Sequence, residues 1–410
     1  MPALYKTWLY RARLAIIGKM LLKPQPKPMA FSGPGSSANL CKAISQFGLK
    51  NLLIVTDKPL RELGLLDKTL ADLAAHDVSY QIYDGVLPDP TLQVVDAGLA
   101  VLNANHCDAV LAFGGGSSID TAKVVALAGA NGGNAESCLG VNKCKQGALP
   151  LFAIPTTAGT GSEGTCIAVV SDNETHSKSA VIDNSLIPKA AALDPEVMLG
   201  LPASMTAATG MDALTHAIES YIGTFGNTET DFYGLASAKL VFKYLPTACS
   251  DGQNMEAREG MSLASYYGGL AITQALVGYT HAISHNLGAR YGVAHGLGNA
   301  VALPHVLDLL KDDAQDKMAA LAVHCELGKA EEDKAALAQK LIDSVRELNR
   351  TVGIPETIES IQEIDINELA GLALIEGSSY PTPRFLDTDD CRGILKRMSV
   401  APAQAKSLAD

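Results

Sequence analysis

Two short stretches of the chain carry one carboxylate and four imidazoles at spacings that suit metal binding. The first is Asp212-x3-His216, and the second is His281-x3-His285-x9-His295. Residues four apart on a helix project from one face about a turn apart, so each pair can direct two side chains at one point. The whole chain has nine His. This concentration of ligand-type side chains predicts a divalent metal site.

The chemistry of these side chains limits the choice of metal. A mixed carboxylate and imidazole set suits Fe(II) or Zn(II), and four protein ligands leave room for a substrate on the metal. A Cys-rich structural zinc site is not indicated, because none of the eight Cys forms a Cys-x-x-Cys pair. Any one of the His could instead be an ordinary core or helix-face histidine. The two pairs together favour the metal interpretation.

Helices must hold both pairs in place. Residues 211 to 221 are a stretch of good helix formers, and residues 279 to 287 repeat the i,i+4 spacing at His281 and His285. The Gly-rich segment from 288 to 298 should end the second helix and turn the chain back. His295 could then approach the same point as the other potential ligands.

A second constellation joins a strand to a glycine-rich loop. The apolar run 108 to 113 leads into Gly114-Gly-Gly-Ser-Ser-Ile-Asp120, and a helix should start near Thr121. Glycines let backbone N–H groups approach a pyrophosphate, Ser117 can donate a hydroxyl, and a helix N-terminus favours negative charge. Asp120 could equally be a plain helix cap. The loop therefore predicts a phosphate cradle.

Two further loops follow apolar runs in the same part of the chain. Residues 156 to 163 offer several hydroxyls that could hold a nicotinamide ribose or amide, although such a loop can also have no function. Asp57 follows the run 52 to 56, where a dinucleotide site holds the adenosine ribose. A carboxylate there would repel the 2′-phosphate of NADP and so favours NAD. The alternative is an exposed loop residue.

The order of these elements predicts two domains of different class. From 29 to 201 strand-like runs alternate with helical stretches, which is typical of an α/β Rossmann-like domain with a mostly parallel sheet. From 202 to 410 long amphipathic runs rich in Ala and Leu predict an all-α domain. We expect the first to bind a dinucleotide and the second to bind metal and substrate. Residues 1 to 28 form a basic extension that ends in a Pro-rich linker.

These motifs together resemble those of the iron-containing (group III) alcohol dehydrogenases. The similarity runs from about residue 31 to about residue 395. Its most specific pieces are the glycine loop at 114 to 120, Pro-Thr-Thr-x-Gly-Thr-Gly-Ser-Glu at 155 to 163, Gly-Met-Asp-Ala-Leu-x-His-Ala-Ile-Glu at 210 to 219, and the segment 281 to 296. The resemblance implies a two-domain architecture like that of dehydroquinate synthase.

The resemblance also implies roles for individual residues. It implies that the metal ligands are Asp212, His216, His281 and His295, and that His285 faces the active site without binding the metal. It implies an NAD cleft lined by Asp57, Gly115, Gly116, Ser117, Asp120, Thr156, Thr157, Thr165 and Lys178. The implied cofactors are NAD and Fe(II), and Zn(II) could take the place of Fe(II).

The function that follows is metal-dependent, NAD-linked oxidation of an alcohol and its reverse. Eight Phe and one Trp limit large aromatic walls, which favours a small aliphatic alcohol or diol with its aldehyde or ketone. His285, one turn from His281, is the titratable group best placed to relay the proton. Alternatively, His285 is a hydrogen-bond partner that orients the ligands.

Two functions from other classes stay open. An NAD-using lyase of the dehydroquinate synthase type would need a basic cluster for a substrate phosphate, and residues 200 to 300 contain only Lys239, Lys243, Arg258 and Arg290. An assembly-forming protein with a vestigial dehydrogenase site would draw its support from the basic extension. Sizing the protein with and without residues 1 to 28 would discriminate.

Composition bounds these expectations. A chain of 410 residues that is 47% hydrophobic can bury a large core. A net charge of −12 argues against a nucleic-acid partner. Eight Cys without a disulfide pattern fit a reducing compartment, so we expect a cytoplasmic location. We also expect a homodimer or higher homo-oligomer. No apolar run approaches the ~18 residues needed for a transmembrane segment.

The start of the chain is basic and carries no acidic residue before Asp57. The apolar run 14 to 22 is interrupted by Lys19 and lacks a small-residue cleavage site, which argues against a secretory signal. A membrane-surface helix fits poorly, since Arg11 and Lys19 fall among the apolar residues. A helix that packs on the body or on a partner subunit fits better.

Overall fold

A computed structural model of the protein describes residues 10 to 11, 25 to 174 and 178 to 399. Nearly all of the predicted basic extension lies outside the described residues. Contacts divide the described chain into two units. One consists of residues 25 to 201 with 251 to 273, and the other of 202 to 250 with 274 onwards.

The described residues contain nine strands and fourteen α-helices. The strands are β1 (Met29–Ser32), β2 (Asn51–Val55), β3 (Ser79–Tyr83), β4 (Ala109–Gly114), β5 (Gly140–Val141), β6 (Leu151–Pro155), β7 (Ile167–Ser171), β8 (Lys178–Ile182) and β9 (Ala190–Leu193). The helices are α1 (Ser36–Gln46), α2 (Lys58–Glu62), α3 (Asp67–Ala75), α4 (Leu92–Ala104), α5 (Gly116–Asn131), α6 (Ala203–Ile222), α7 (Thr228–Ser250), α8 (Met255–Ala275), α9 (Tyr279–Tyr291), α10 (His295–Leu310), α11 (Gln315–His324), α12 (Lys334–Thr351), α13 (Ile366–Gly377) and α14 (Thr388–Met398).

Six strands form a single sheet in the order β1-β9-β6-β4-β2-β3, and every pair in it is parallel. This confirms the predicted Rossmann-like sheet. A smaller sheet has the order β5-β8-β7, in which β7 and β8 are antiparallel. The sequence analysis predicted neither β1 nor β5, which are four and two residues long. β8 was missed as well, and the expected strand at 166 to 171 belongs to the smaller sheet.

Both faces of the large sheet are buried along its central strands β9, β6, β4 and β2, as parallel pairing requires. In β2, Leu53 and Val55 belong to one apolar cluster, while Leu52 and Ile54 belong to the other. All four are at most 1% exposed. Each such side chain contributes roughly 1.5–3 kcal/mol through burial. Burial of alternate side chains on the two faces fixes the strand in the core. The carboxyl ends of such strands carry the predicted nucleotide residues.

The helix after the glycine loop begins earlier than predicted. We expected a start near Thr121, but α5 begins at Gly116 with Gly115 as its N-cap. Gly115 is extended, at φ −77° and ψ −169°, so the turn from β4 into the helix is completed within two residues. Ser117 and Asp120 therefore lie in the first turns of the helix rather than in a loop. The Thr121 hydroxyl donates to the Ser117 carbonyl at 2.8 Å.

The second unit is helical, which confirms the predicted all-α region: after Leu201 the described residues contain no strand. Within it α6 packs against α7 and α10, and α9 packs against α10 and α13. The predicted domain boundaries stay a prediction, and the contacts place residues 251 to 273, most of α8, with the sheet unit. No helix in the described parts of the chain has the length and apolarity to cross a membrane.

A close backbone approach fastens α8 to the sheet unit. The Gly161 N–H donates to the Ser265 hydroxyl at 3.1 Å. A Cβ added at Gly161 would lie 2.3 Å from the Ser265 carbonyl oxygen and 2.7 Å from the Gly269 Cα. Gly161 also has φ +59°. Both facts require glycine at this position, which lies in the loop predicted to face the nicotinamide.

Candidate functional site

Three helices supply the predicted metal ligands. Asp212 and His216 lie four apart on α6, His281 lies in the first turn of α9, and α10 begins at His295. The predicted glycine stop is confirmed at Gly292, whose φ of +68° ends α9. The three-residue turn from 292 to 294 then starts the next helix. A chain reversal of this kind is what the spacing of the glycines predicted.

The four side chains converge on one carboxylate oxygen. Asp212 Oδ1 lies 3.4 Å from His295 Nε2 and 3.9 Å from the Nε2 atoms of His216 and His281. One ligand atom from each of the four residues lies within 4.8 Å of all the others. Three of the residues are buried, while the His295 side chain is 29% exposed. Solvent therefore reaches the cluster on the side of His295.

The electrostatics of this cluster suit a metal ion. Burial, followed by the neighbouring His216, holds the pKa of His281 well below its usual range. Burial by itself would raise the pKa of Asp212, but His216 and His295, together with the hydrogen bond from Asn299, outweigh it and lower that pKa to about 2. Both shifts favour the forms that bind metals, an ionised carboxylate and a neutral imidazole. One carboxylate and three imidazoles fit Fe(II) or Zn(II).

A buried amide that the sequence analysis missed touches the same cluster. The Asn299 Nδ2 group donates to Asp212 Oδ1 at 2.8 Å and lies 3.2 Å from the Nε2 atoms of His281 and His295. Asn299 is fully buried. Its position four residues after His295 on α10 was the signal that could have identified it. Asn299 fixes the orientation of the Asp212 carboxylate.

His285 lies beside the cluster and not in it. Its ring stacks on His295, with centroids 5.0 Å apart at 15°. Its Nδ1 lies 2.6 Å from Glu376 Oε1, which also accepts the Tyr380 hydroxyl at 2.7 Å. Asn286 Nδ2 donates to the other Glu376 oxygen at 3.1 Å. Because the carboxylate engages Nδ1, Nε2 is the nitrogen of His285 that can exchange a proton.

The glycine loop and the hydroxyl loop lie side by side in the sheet unit. Gly114 and Pro155 are register partners in β4 and β6, so Thr156 follows next to Gly115. The two loops touch, since a Cβ added at Gly115 would lie 3.2 Å from the Thr157 hydroxyl. The structure thus brings together the residues predicted to hold the pyrophosphate and the nicotinamide side. This edge of the sheet is formed by the carboxyl ends of neighbouring parallel strands, where dinucleotides bind.

The contact between the two loops continues into α5. A Cβ added at Gly116 would lie 2.6 Å from the Thr160 methyl carbon. Ser117 follows in the first turn of the helix and is partly exposed. Both positions therefore present backbone N–H groups at a helix N-terminus, where an anion is favoured. The absence of a Cβ is what allows the hydroxyl loop to approach Gly116 this closely.

Asp57 has a structural task in addition to its predicted one. It is the N-cap of α2, and its Oδ1 accepts from the Leu60 N–H at 2.9 Å. Lys178, predicted to line the NAD cleft, forms an ion pair with Asp89 Oδ1 at 2.9 Å. The Lys178 side chain is 19% exposed, so its amine is not freely solvated.

The side chains of two other predicted nucleotide residues form hydrogen bonds within the protein. Asp120 Oδ1 accepts from the Ser162 hydroxyl at 2.6 Å, and Oδ2 accepts from the Val169 N–H at 2.9 Å. The Thr165 hydroxyl lies 2.9 Å from the amine of Lys123. Asp120 and Thr165 therefore position the hydroxyl loop from within.

Lys123 at the centre of this network was missed by the sequence analysis. Its amine is fully buried and donates to the Ser162 hydroxyl and to the carbonyls of Thr165 and Ile167, at 2.7 to 2.9 Å. Burial lowers the pKa of Lys123 to about 8, even though Asp120 opposes the shift. A lone Lys in the apolar run after Thr121 was the available signal. Lys123 ties α5 to the loop that leads into β7.

Comparison with known families decides the assignment. A model of the iron-containing alcohol dehydrogenases matches residues 27 to 195, and a model of the C-terminal region of the Fe-containing family matches residues 206 to 399. The chain belongs to the iron-containing alcohol dehydrogenase family. The resemblance seen in the motifs is thereby confirmed.

Curated relatives in this alcohol dehydrogenase family align along nearly their whole length. Alcohol dehydrogenase 4 of Schizosaccharomyces pombe is 40% identical over 368 residues, which cover 89% of this chain and 86% of the relative. NAD-dependent methanol dehydrogenase of Bacillus methanolicus is 36% identical over 371 residues, which cover 90% of this chain and 97% of the relative. 1,3-Propanediol dehydrogenase of Klebsiella pneumoniae is also 36% identical, with 90% and 96% covered.

A solved member of the iron-containing alcohol dehydrogenases shares the fold. The structure of a 1,3-propanediol oxidoreductase superposes with a TM-score of 0.88 at 34% identity and covers 92% of this chain and 99% of its own. Sulfoacetaldehyde reductase from Bifidobacterium kashiwanohense in complex with NAD+ has a TM-score of 0.84 at 28% identity, with 92% and 97% covered. The two-domain class predicted from the sequence is confirmed.

Proposed function

We propose that this protein is a metal-dependent, NAD-linked alcohol dehydrogenase that interconverts a small aliphatic alcohol or diol and its aldehyde or ketone. The observation that carries the proposal is the convergence of three His Nε2 atoms on Asp212 Oδ1. Relatives named for methanol and 1,3-propanediol support a short substrate. The lyase and assembly alternatives have no comparable support among these relatives.

In this proposal Asp212, His216, His281 and His295 hold Fe(II), for which Zn(II) could substitute. A bound divalent cation supplies Lewis acidity that lowers the pKa of an alcohol hydroxyl, and NAD supplies the hydride acceptor. His285 takes up the alcohol proton at Nε2. Glu376 supports this step, because its carboxylate holds the opposite nitrogen and stabilises the imidazolium.

The sheet unit is proposed to hold NAD at the carboxyl edge of β2, β4 and β6. The backbone N–H groups of Gly115, Gly116 and Ser117 face the pyrophosphate, with the dipole of α5 adding to the attraction. Thr156 and Thr157 offer hydroxyls to the nicotinamide side, Asp57 lies toward the adenosine, and Lys178 lines the cleft. Asp120 and Thr165 act indirectly, since both bind the loop that carries the other residues.

The proposal is tested by a steady-state screen of short-chain alcohols, diols and aldehydes with NAD and with NADP. We expect turnover with small aliphatic substrates and NAD. Turnover that is confined to phosphorylated substrates, with NAD unchanged at the end, would favour the lyase alternative. A protein without turnover that forms large assemblies would favour the assembly alternative.

Asp57 provides a test of cofactor choice. A 2′-phosphate near an ionised carboxylate costs on the order of 1–4 kcal/mol, depending on the local dielectric. Replacing Asp57 with Gly should narrow or reverse the preference for NAD over NADP in kcat/KM. Because Asp57 also caps α2, Asp57→Ser is the matched variant that removes the charge and keeps a capping oxygen. Equal kcat/KM for both cofactors in the parent enzyme would contradict the role given to Asp57.

The state of the protein in the cell belongs to the proposal as well. We propose a cytoplasmic location, because the eight Cys form no disulfide, and no nucleic-acid partner, because the net charge is −12. We also propose a homodimer or higher homo-oligomer. Sizing the full chain beside a chain that lacks residues 1 to 28 measures the oligomeric state. The same comparison tests whether the basic extension contributes to assembly.

A further inference from the structure

Helix α6 carries a buried carboxylate that has no assigned role in the metal site. Glu219 lies seven residues after Asp212 and three after His216, so all three side chains share one face of the helix. The Glu219 side chain is 4% exposed. It faces the start of α9, the helix that carries His281.

The Glu219 carboxylate engages three donors. Oε1 accepts from the Thr280 N–H at 2.7 Å, and Oε2 accepts from the Gly278 N–H at 2.8 Å. Oε2 also lies 2.6 Å from His281 Nδ1. Gly278 is the N-cap of α9 and has no side chain that could cap it, so Glu219 satisfies first-turn N–H groups from outside the helix. A carboxylate at this end is also stabilised by the helix dipole.

These contacts determine which nitrogen of His281 faces the cluster. A carboxylate that already accepts two backbone N–H groups binds Nδ1 best as a further acceptor, so the ring proton lies on Nδ1. The lone pair then lies on Nε2, the atom 3.9 Å from Asp212 Oδ1. The imidazole is thereby held in the tautomer and orientation that a metal ligand requires.

Gly278 leaves the space that this carboxylate occupies. A Cβ added at Gly278 would lie 2.8 Å from Glu219 Oε1 and 3.1 Å from its carboxyl carbon. Both distances are shorter than ordinary contacts. Any larger residue at 278 would therefore push the carboxylate away from the start of α9. The glycine and the glutamate form a matched pair.

We propose that Glu219 is a positioning residue of the metal site, which caps α9 and holds His281 with Nε2 directed at the metal. This inference rests on the proposed function, because it takes His281 as a ligand. One face of α6 thus supplies two ligands and also orients a third from another helix. Gly278 is the residue that makes this arrangement sterically possible.

The first test is Glu219→Gln, which keeps the shape and removes the charge. In either orientation of the Gln side chain, its NH2 group faces a donor. In the parent protein that donor has a carboxylate oxygen of Glu219 as its acceptor. We expect divalent metal affinity to fall about 10- to 100-fold, the usual effect of losing a partner of a metal-bound imidazole. Affinity is measured by competition between the folded, metal-free protein and a chelator, with Fe(II) and Zn(II) as the probes.

The second test is Gly278→Ala, which keeps the charge of Glu219 but pushes its carboxylate away from the start of α9. We expect a loss of metal affinity similar to that of Glu219→Gln. Glu376→Gln is the matched control, because Glu376 makes the same 2.6 Å contact to Nδ1 of a histidine that is not a proposed ligand. Its metal affinity should equal that of the parent. Circular dichroism and the thermal midpoint of each metal-free protein show whether it is folded.

The outcomes separate this inference from the proposed function. If His281→Ala loses metal while Glu219→Gln and Gly278→Ala bind it as tightly as the parent, the role of Glu219 is overturned and the ligand set stands. A fall in thermal midpoint without a fall in affinity would make Glu219 a helix cap only and would also overturn the inference. If His281→Ala retains metal, the ligand assignment fails and the role of Glu219 fails with it.

Discussion

Replacing His281 with Ala is expected to remove the bound metal and about 10³-fold or more of kcat/KM together. His281 is buried between Asp212 and Glu219, so its loss opens the cluster and removes one partner from each carboxylate. Lewis-acid stabilisation by a metal amounts to several kcal/mol, and each 1.36 kcal/mol corresponds to a factor of ten in rate. Metal analysis and steady-state kinetics on the same preparation measure both losses.

The other proposed ligands should behave as His281 does. Asp212→Ala, His216→Ala and His295→Ala are each expected to lose metal and turnover in parallel while remaining folded. His324→Ala is the control, because this exposed histidine lies in the last turn of α11. It should keep both properties. A His281→Ala protein with a full complement of metal would contradict the assignment of the site.

Replacing His285 with Ala is expected to keep the metal and to lower kcat for alcohol oxidation about 10²-fold or more. This is the usual contribution of a general acid–base group. The metal should remain because His285 lies outside the four-residue cluster and binds Glu376 instead. Added imidazole should restore part of the lost rate, since a small base can enter the space that the side chain leaves. Metal content and kcat, measured with and without imidazole, report the two effects separately.

Other outcomes for His285 have distinct meanings. Loss of metal in His285→Ala would make this residue a fifth ligand. A near-normal kcat would reduce it to a residue that orients its neighbour His295, on which its ring stacks. Glu376→Gln is a milder variant of the same contact. We expect it to lower kcat by a smaller factor than His285→Ala does and to leave the metal in place.

Local spacing predicted much of the site. The i,i+4 pairs at Asp212 and His281 were visible because helix geometry places such residues on one face, and the glycines after the second pair correctly indicated a chain reversal. The alternation of apolar runs predicted a parallel sheet, since buried strands leave a continuous apolar signal. These features depend on residues that are near each other in the chain.

Partners that are distant in sequence could not be predicted in this way. Glu219 and His281 are 62 residues apart, and His285 and Glu376 are 91 residues apart, so no local pattern links them. Lys123 was hidden for another reason. Lysine is rarely buried, and only the acceptors of the loop around Thr165 make its burial tolerable.

Element boundaries were missed where backbone conformation overrode composition. We placed the start of α5 near Thr121 because Gly and Ser are poor helix formers. In the structure the extended Gly115 acts as the cap, and the helix begins directly after it. The strand β1 was missed because its four residues pair only with β9, a contact across some 160 positions of the chain.

Metal reconstitution tests the central claim most directly. Protein stripped with a chelator is titrated anaerobically with Fe(II), and NADH formation from a short-chain alcohol is followed at each step. We predict no turnover without metal, a linear rise, and a plateau at one metal ion per chain, with no such rise for His281→Ala. Full turnover in the stripped protein, or a stripped protein that binds one Fe(II) per chain and remains inactive with every short-chain alcohol, would contradict the account.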